Sequence, residues 1–424
     1  MPSLLQTVLL LALISLVLAA PAPGKVQKRS FKVERVPNPN FKGRSPGAGT
    51  RALIKAYRKF GVPLPAGLLD AMNAAQGAVG AVTEDLAVKG KGKGKAKSGK
   101  TSTAVAGVAQ ATGTGVASAS STGGVSAATN GTGVVTATPE QGDVEYLSPV
   151  NIGGQTMNMD FDSGSSDLWV FNTQLATASQ SGHTNFNPQK STTFKMMTGS
   201  TFSISYGDGS GAAGNVGTDT VNIGGATVTS QAIELATAVS ASFVQDTQSN
   251  GLVGLAFSKL NTVKPTQQKT FFDNAMATLP MPVFTADLRH NAVGSYEFGN
   301  IDATKFNGSL SWAAVNTTQG FWQFSSTKFS VGTGAVMNVA GGQAIADTGT
   351  TLMLANPAIV NAYYSQVQGA VNNATVGGVT FPCNAQLPDL NVDIGGNYMA
   401  LIRGDDINFA QVDATGTCKF PPSS

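Results

Sequence analysis

The sequence predicts a mainly β protein with a few short helices, built as two related lobes that face each other across a cleft. Three observations carry this. The chain has 424 residues, of which 50 are Gly and only 12% are charged, a composition that suits short strands and turns better than helical bundles. From Glu140 onward, glycine pairs punctuate runs rich in Val, Ile, Thr and Phe: Gly153-Gly154, Gly207-Asp208-Gly209, Gly224-Gly225, Gly341-Gly342, Gly377-Gly378 and Gly395-Gly396. These are hairpin signals. Finally, Asp162-Ser163-Gly164-Ser165-Ser166 returns 185 positions later as Asp347-Thr348-Gly349-Thr350-Thr351. Met157, Met159 and Phe161 alternate before the first turn and Leu168-Trp169-Val170-Phe171 follows it; Ile345 precedes the second and Leu352-Met353-Leu354 follows. Each copy therefore reads as strand, tight turn, strand, with one carboxylate at the turn.

Five segments follow in order. Residues 1–20 are an apolar run from Leu4 ending in small residues before Pro21. It is too short for a comfortable membrane span and reads as a cleaved secretory signal. Residues 21–100 are basic, with a dibasic Lys28-Arg29, a helical spacing in Arg51 to Phe60, and lysines at 89, 91, 93, 95, 97 and 100 alternating with small residues that cannot bury a core. Residues 101–138 are nearly all Ser, Thr, Gly, Ala and Val and read as a linker. The folded body is expected from 139, with one lobe over 139–315 and the other over 316–424. Up to residue 138 there are 17 Lys/Arg against 4 Asp/Glu; from 139 there are 10 against 20. A basic front and an acidic body attract each other, and acid weakens that attraction. No folded basic module accompanies the positive segment, so nucleic acid is not expected as a partner. No second long apolar run exists, so no membrane span is expected either. Secretion suits the cysteines, Cys383 and Cys418, which can bridge in an oxidising compartment. It also suits sequons at Asn130, Asn307, Asn316 and Asn373.

The chemistry follows from what is present and what is missing. The two histidines, His183 and His290, lie far in sequence from any candidate nucleophile, so Ser163, Ser165 and Ser166 have no evident base. No HExxH or Cys-rich spacing suggests a metal, and no Rossmann or P-loop glycine pattern suggests a nucleotide, so no cofactor is expected. What remains is two turn-borne carboxylates. Close together, they share a proton: the ionised one takes a proton from water while the protonated one donates to a carbonyl oxygen. An isolated Asp-Gly turn is usually only a turn; here the repeat changes the weighting. A carboxylate-pair glycosidase needs its acid and base farther apart and aromatic sugar platforms.

FDSGSSDLWVF (161–171), ISYGDGSGAAGNVGTDTV (204–221), NGLVGLAFSKLNTVKP (250–265) and AIADTGTTLML (344–354) resemble, in order, blocks of pepsin-like aspartic endopeptidases of the secreted fungal, penicillopepsin-like and aspergillopepsin-like kind. The resemblance runs from about Tyr146 to Cys418. It implies the bilobal pepsin-like fold, a monomer, polypeptide substrates, and synthesis as a zymogen inhibited in cis by its own propeptide. Asp162 and Asp347 would be the catalytic pair. Ser163 and Thr348 would lock the turns together, Gly164 and Gly349 would allow their close approach, and Ser165 and Thr350 would hold the outer carboxylate oxygens. Tyr206, Gly207 and Asp208 would form a flap, with the Tyr206 hydroxyl on the Trp169 indole and Asp208 allowing basic as well as apolar side chains in the first subsite. Phe243 and Leu252 would line the first subsite. Lys59, or Lys55, would reach the cleft from the propeptide. The same resemblance implies several dozen further residues after Cys418, including a second hydrophobic-hydrophobic-Gly arm, so the C-terminal lobe is expected to be incomplete. A second reading therefore stands beside the enzyme: a non-catalytic or unstable relative that keeps the dyad and at most binds peptides.

Overall fold

The computed structural model describes residues 52–53, 131–140, 142–206, 210–373, 378–411 and 417–420, with side chains described as far as Phe409. Signal, linker and propeptide readings before residue 131 lie outside these residues, except that Ala52 and Leu53 are helical and buried.

Ten strands form the first sheet: β1 (Gly133–Pro139), β2 (Tyr146–Ile152), β3 (Gln155–Asp162), β4 (Leu168–Val170), β5 (Lys195–Ser205), β6 (Gly211–Ile223), β7 (Ala226–Val239), β8 (Gly251–Gly254), β9 (Phe284–Arg289) and β10 (Ala292–Phe298). Their order is β5-β6-β7-β4-β8-β3-β2-β1-β10-β9, and β6 also pairs with the end of β2. The alternation before the first turn builds this sheet's core, because successive side chains of a strand point to opposite faces. Met157, Met159 and Phe161 are fully buried while Thr156 and Asn158 are exposed. They pack with Val150, Ile152, Val221, Ile233, Val253, Phe271 and Phe298. Burial of side chains this size contributes about 1.5–3 kcal/mol each. The β2–β3 and β6–β7 hairpins turn at Gly153-Gly154 and Gly224-Gly225, where φ is positive at both residues. That conformation is cheap only for glycine.

The remaining strands are β11 (Val315–Asn316), β12 (Gln323–Ser325), β13 (Lys328–Val331), β14 (Met337–Asn338), β15 (Gln343–Ile345), β16 (Val371–Asn373), β17 (Gly378–Pro382), β18 (Leu390–Ile394), β19 (Tyr398–Ile402), β20 (Ala410–Gln411) and β21 (Thr417–Phe420). They form three small sheets: β11-β12-β15, β14-β13-β18-β19 and β16-β17-β21-β20. A separate core of Phe329, Val331, Val360, Tyr363, Phe381, Leu390 and Ile407 lies among them. Short helices form at Phe271–Ala275 and Pro357–Tyr364. The first is capped by the Thr270 hydroxyl, which accepts from the Asp273 N–H, and the second by Asn356 with Pro357 in its first turn. Cys383 is disulfide-bonded, and the sequence holds one other cysteine, Cys418, whose backbone sits in β21 opposite Phe381.

Two expectations need correction. Residues 133–138 belong to the folded body: β1 pairs with β10 over five residues, and Val135 and Ala137 enter the core. Their alternation was masked by a linker-like composition. The apolar residues after the second turn, Leu352 to Leu354, form no strand, whereas Leu168–Val170 does. A strand requires a partner, and β4 pairs with β7 and β8, while no described strand pairs with 352–354.

Candidate active site

The two aspartates occupy equivalent positions and are held in equivalent ways. Asp162 Oδ1 accepts from the Gly164 N–H at 2.8 Å, and Oδ2 from the Ser165 hydroxyl at 2.6 Å. Asp347 Oδ1 accepts from the Gly349 N–H at 3.0 Å, and Oδ2 from the Thr350 hydroxyl at 2.5 Å. Hydrogen bonds to an ionised carboxylate favour its charged form and fix its plane.

The turns are tied to each other by a reciprocal set of bonds. The Ser163 hydroxyl donates to the Ala346 carbonyl at 2.9 Å and accepts from the Thr348 N–H at 2.9 Å. The Thr348 hydroxyl donates to the Phe161 carbonyl at 2.7 Å and accepts from the Ser163 N–H at 3.0 Å. Neither turn can rotate without breaking bonds to the other. Their approach is close: a Cβ on Gly349 would stand 2.3 Å from Asp162 Oδ1. Glycine is required there by contact alone.

Beneath the first turn, β8 runs parallel to β3 and antiparallel to β4, placing Leu252-Val253-Gly254 between the two arms. The Leu255 N–H donates to the Asp162 carbonyl at 2.8 Å and the Ala256 N–H to the Ser165 carbonyl at 2.9 Å. A Cβ on Gly254 would meet Ser166 Cα at 2.5 Å. Support of the second turn is thinner among the described residues. It rests on β12 pairing with β15, an Ala346 N–H bond to the Trp322 carbonyl at 3.0 Å, and the Thr351 hydroxyl on the Val144 carbonyl at 2.7 Å. Asp162 is buried and Asp347 half-buried.

A cavity opens beside Asp162, lined by Asp160, Asp162, Tyr206, Ser210, Phe243, Leu252 and Gly349. The Trp169 indole N–H donates to the Tyr206 hydroxyl at 2.7 Å. Phe243 meets Trp169 edge-on at 4.8 Å between centroids and Tyr206 at 5.7 Å. Burial first, then the charges of Asp167 and Asp162, push the Tyr206 phenol well above its ordinary range, so it stays neutral. Gly207 and Asp208, expected on the flap, lie outside the described residues, as do Lys55 and Lys59.

Two features escaped the sequence reading. Asp160 is buried and lines the cavity; its spacing of two from Asp162 puts both on one face of β3, a signal available in the sequence. Asp167, Asn261 and Glu234 form a buried polar cluster behind the turn. No sequence spacing announces it. Away from the cleft, Glu140, Glu145 and Asp246 bring carboxylate oxygens within 4.8 Å of one another. Burial and then the Glu145 charge raise the Asp246 carboxyl, which is hydrogen-bonded to Glu140.

Comparisons with known proteins agree with this geometry. The family model for eukaryotic aspartyl proteases matches residues 145–421. The chain is 46% identical to the aspartic protease PEP3 of Coccidioides posadasii over 414 residues, 97% of this chain and 84% of that protein. It is 44% identical to endothiapepsin of Cryphonectria parasitica over 401 residues, 94% of this chain and 82% of that protein. It is 50% identical to penicillopepsin-1 of Penicillium rubens over 295 residues, 70% and 73% of the two chains. On these matches the chain belongs to the eukaryotic aspartyl protease family and is an aspartic endopeptidase of the pepsin-like fungal type, a family whose fold is bilobal.

Proposed function

We propose that the chain is made as a secreted zymogen and that, once activated in acid, Asp162 and Asp347 jointly hydrolyse peptide bonds. The pair carries one proton. As water attacks the scissile carbonyl carbon, the ionised carboxylate takes a proton from it and the protonated one donates to the carbonyl oxygen. The resulting tetrahedral diol collapses when the protonated carboxyl gives its proton to the departing amine and the ionised one takes a proton from a diol hydroxyl, so the pair again holds one proton and no covalent enzyme intermediate forms. The observation that carries this reading is the reciprocal Ser163–Thr348 bonding, because it makes the two carboxylates parts of one rigid unit. Tyr206, Phe243 and Leu252 suit an apolar substrate side chain, and Asp208 would add acceptance of a basic one.

Residues 1–20 would direct secretion and 21–100 would act as the basic propeptide, with Lys59 or Lys55 pairing with the cleft carboxylates. The first lobe, which begins at β1, and the lobe over 316–424 would each supply one aspartate. Extracellular release fits a Cys383–Cys418 bridge and glycosylation at one or more sequons. Neither nucleic acid nor membrane enters this scheme, and the active form would be a monomer. Acid treatment of the full chain followed by assay on denatured haemoglobin between about pH 3 and 4 tests it. Pepstatin-sensitive cleavage is expected; its absence would favour a peptide-binding relative without turnover. Replacing Lys55 and Lys59 together should speed activation, and an unchanged rate would count against their inhibitory role.

A further inference from the structure

Behind the first aspartate turn lies a second pair of carboxyl groups that hydrolysis leaves unused. Asp167 ends the turn, and Glu234 stands on β7 in register with Trp169. Their exposures are 0% and 1%. Asp167 Oδ1 accepts from the Thr262 N–H and hydroxyl, both at 2.9 Å, and from the Asn261 amide at 3.2 Å. The same amide nitrogen reaches Glu234 Oε1 at 3.1 Å and the Ser166 carbonyl at 3.2 Å. The other two oxygens, Asp167 Oδ2 and Glu234 Oε2, are buried with no N–H or hydroxyl partner from elsewhere. The two carboxyl groups meet at one shared donor, the Asn261 amide, and two buried carboxyls held this close cannot both ionise easily, so one keeps a proton.

We propose that Glu234 is a positioning residue: it holds a proton between its carboxyl and that of Asp167, and so fixes the Ser165–Asp167 arm beneath Asp162 until rising pH removes that proton and loosens the cleft. The connection to the reacting carboxylate is short. Asp167 lies five residues after Asp162, its carbonyl accepts from the Gly254 N–H at 2.8 Å, and the Asn261 amide ties Ser166 to both carboxyls. The Ser165 hydroxyl, on the same arm, donates to Asp162 Oδ2.

The titratable groups facing the pair are the Tyr206 phenol at the end of β5 and, beyond it, Asp162 at the end of β3. Neither supplies a positive charge that would stabilise a buried dianion. Burial first, then the Asp167 charge, hold the Glu234 carboxyl well above its ordinary range, and burial likewise raises Asp167. The sign follows: a carboxyl raised in the folded state keeps its proton where the unfolded chain has lost it, so folding takes up protons and stability falls as pH rises above about 4.3. A filler role in the core would give no such pH dependence after an isosteric amide replacement.

The test compares unfolding midpoint and kcat/KM of the acid-activated protein between about pH 3 and 7 for wild type and Glu234→Gln. The Gln amide still donates to Asp167 but has no proton to lose. The variant should keep acid-range activity within about threefold, and its alkaline loss of both stability and activity should move up by about one pH unit. Coincident pH profiles, or a uniform loss at every pH, would overturn the proposal. If Glu234→Gln fails to fold, Asp167→Asn donates in the opposite direction and should give the same upward shift; no shift there overturns it equally. The activity arm rests on the proposed Asp162–Asp347 chemistry. Absence of any wild-type turnover would sink that chemistry, while the unfolding profiles would still judge the carboxyl pair.

Discussion

The Ser163 hydroxyl both donates and accepts between the two turns, so its removal leaves the Ala346 carbonyl and the Thr348 N–H each short of a partner. Unsatisfied groups of this kind cost about 1–3 kcal/mol each. Ser163→Ala should therefore lower the urea midpoint and reduce kcat, while Ser163→Thr, which keeps the hydroxyl, should retain most of both. Tyr206→Phe presents a similar case, since it strands the buried Trp169 indole N–H. A loss of about 1–3 kcal/mol in equilibrium unfolding is expected. At Gly349 any side chain collides with the Asp162 carboxylate, so Gly349→Ala should abolish turnover even where circular dichroism stays native. The aspartates and their glycines were readable in the sequence because tight turns demand those residue types locally. Asp160 was readable in principle from strand periodicity. The Asp167–Glu234 pair was not, since its members are 67 positions apart and only the parallel alignment of β4 with β7 brings them together.

Among elements, β8 does most to define the first turn, because it pairs with the strand entering the turn and the strand leaving it. Gly254→Ala would push a methyl into the Ser166 and Asp167 backbone, a clash that a flexible side chain cannot relieve. It should depress the unfolding midpoint and turnover together. The strand flanking the first turn was legible from Leu168-Trp169-Val170 because the fold supplies it with neighbours on both sides. Leu352-Met353-Leu354 has the same apolar character and forms no strand, since no described strand pairs with it and no single segment encodes its partners. The start of β1 was hidden for a different reason. Val134, Thr136 and Thr138 face outward and resemble the preceding Ser/Thr/Gly/Ala run, so only the buried alternate residues mark the strand.

Across the whole molecule, acidity and stability are linked through buried carboxyl groups. Glu234, Asp167 and Asp246 are all raised, chiefly by burial. All three bind protons more tightly folded than unfolded, so each contributes a decline in stability once pH exceeds its unfolded value of about 4. Thermal unfolding should accordingly show its highest midpoint on the acid side and fall toward neutrality; a midpoint rising from pH 4 to pH 7 would contradict the assignment of these groups. That behaviour matches the chemistry proposed for the cleft, where a dyad holding one proton also works in acid. The most direct measurement is turnover by the acid-activated protein with Asp162→Asn and, separately, Asp347→Asn. The account predicts that each variant folds and loses at least about 1,000-fold in kcat, with no residual contribution from the surviving carboxylate alone. Near-wild-type proteolysis by either variant would contradict it.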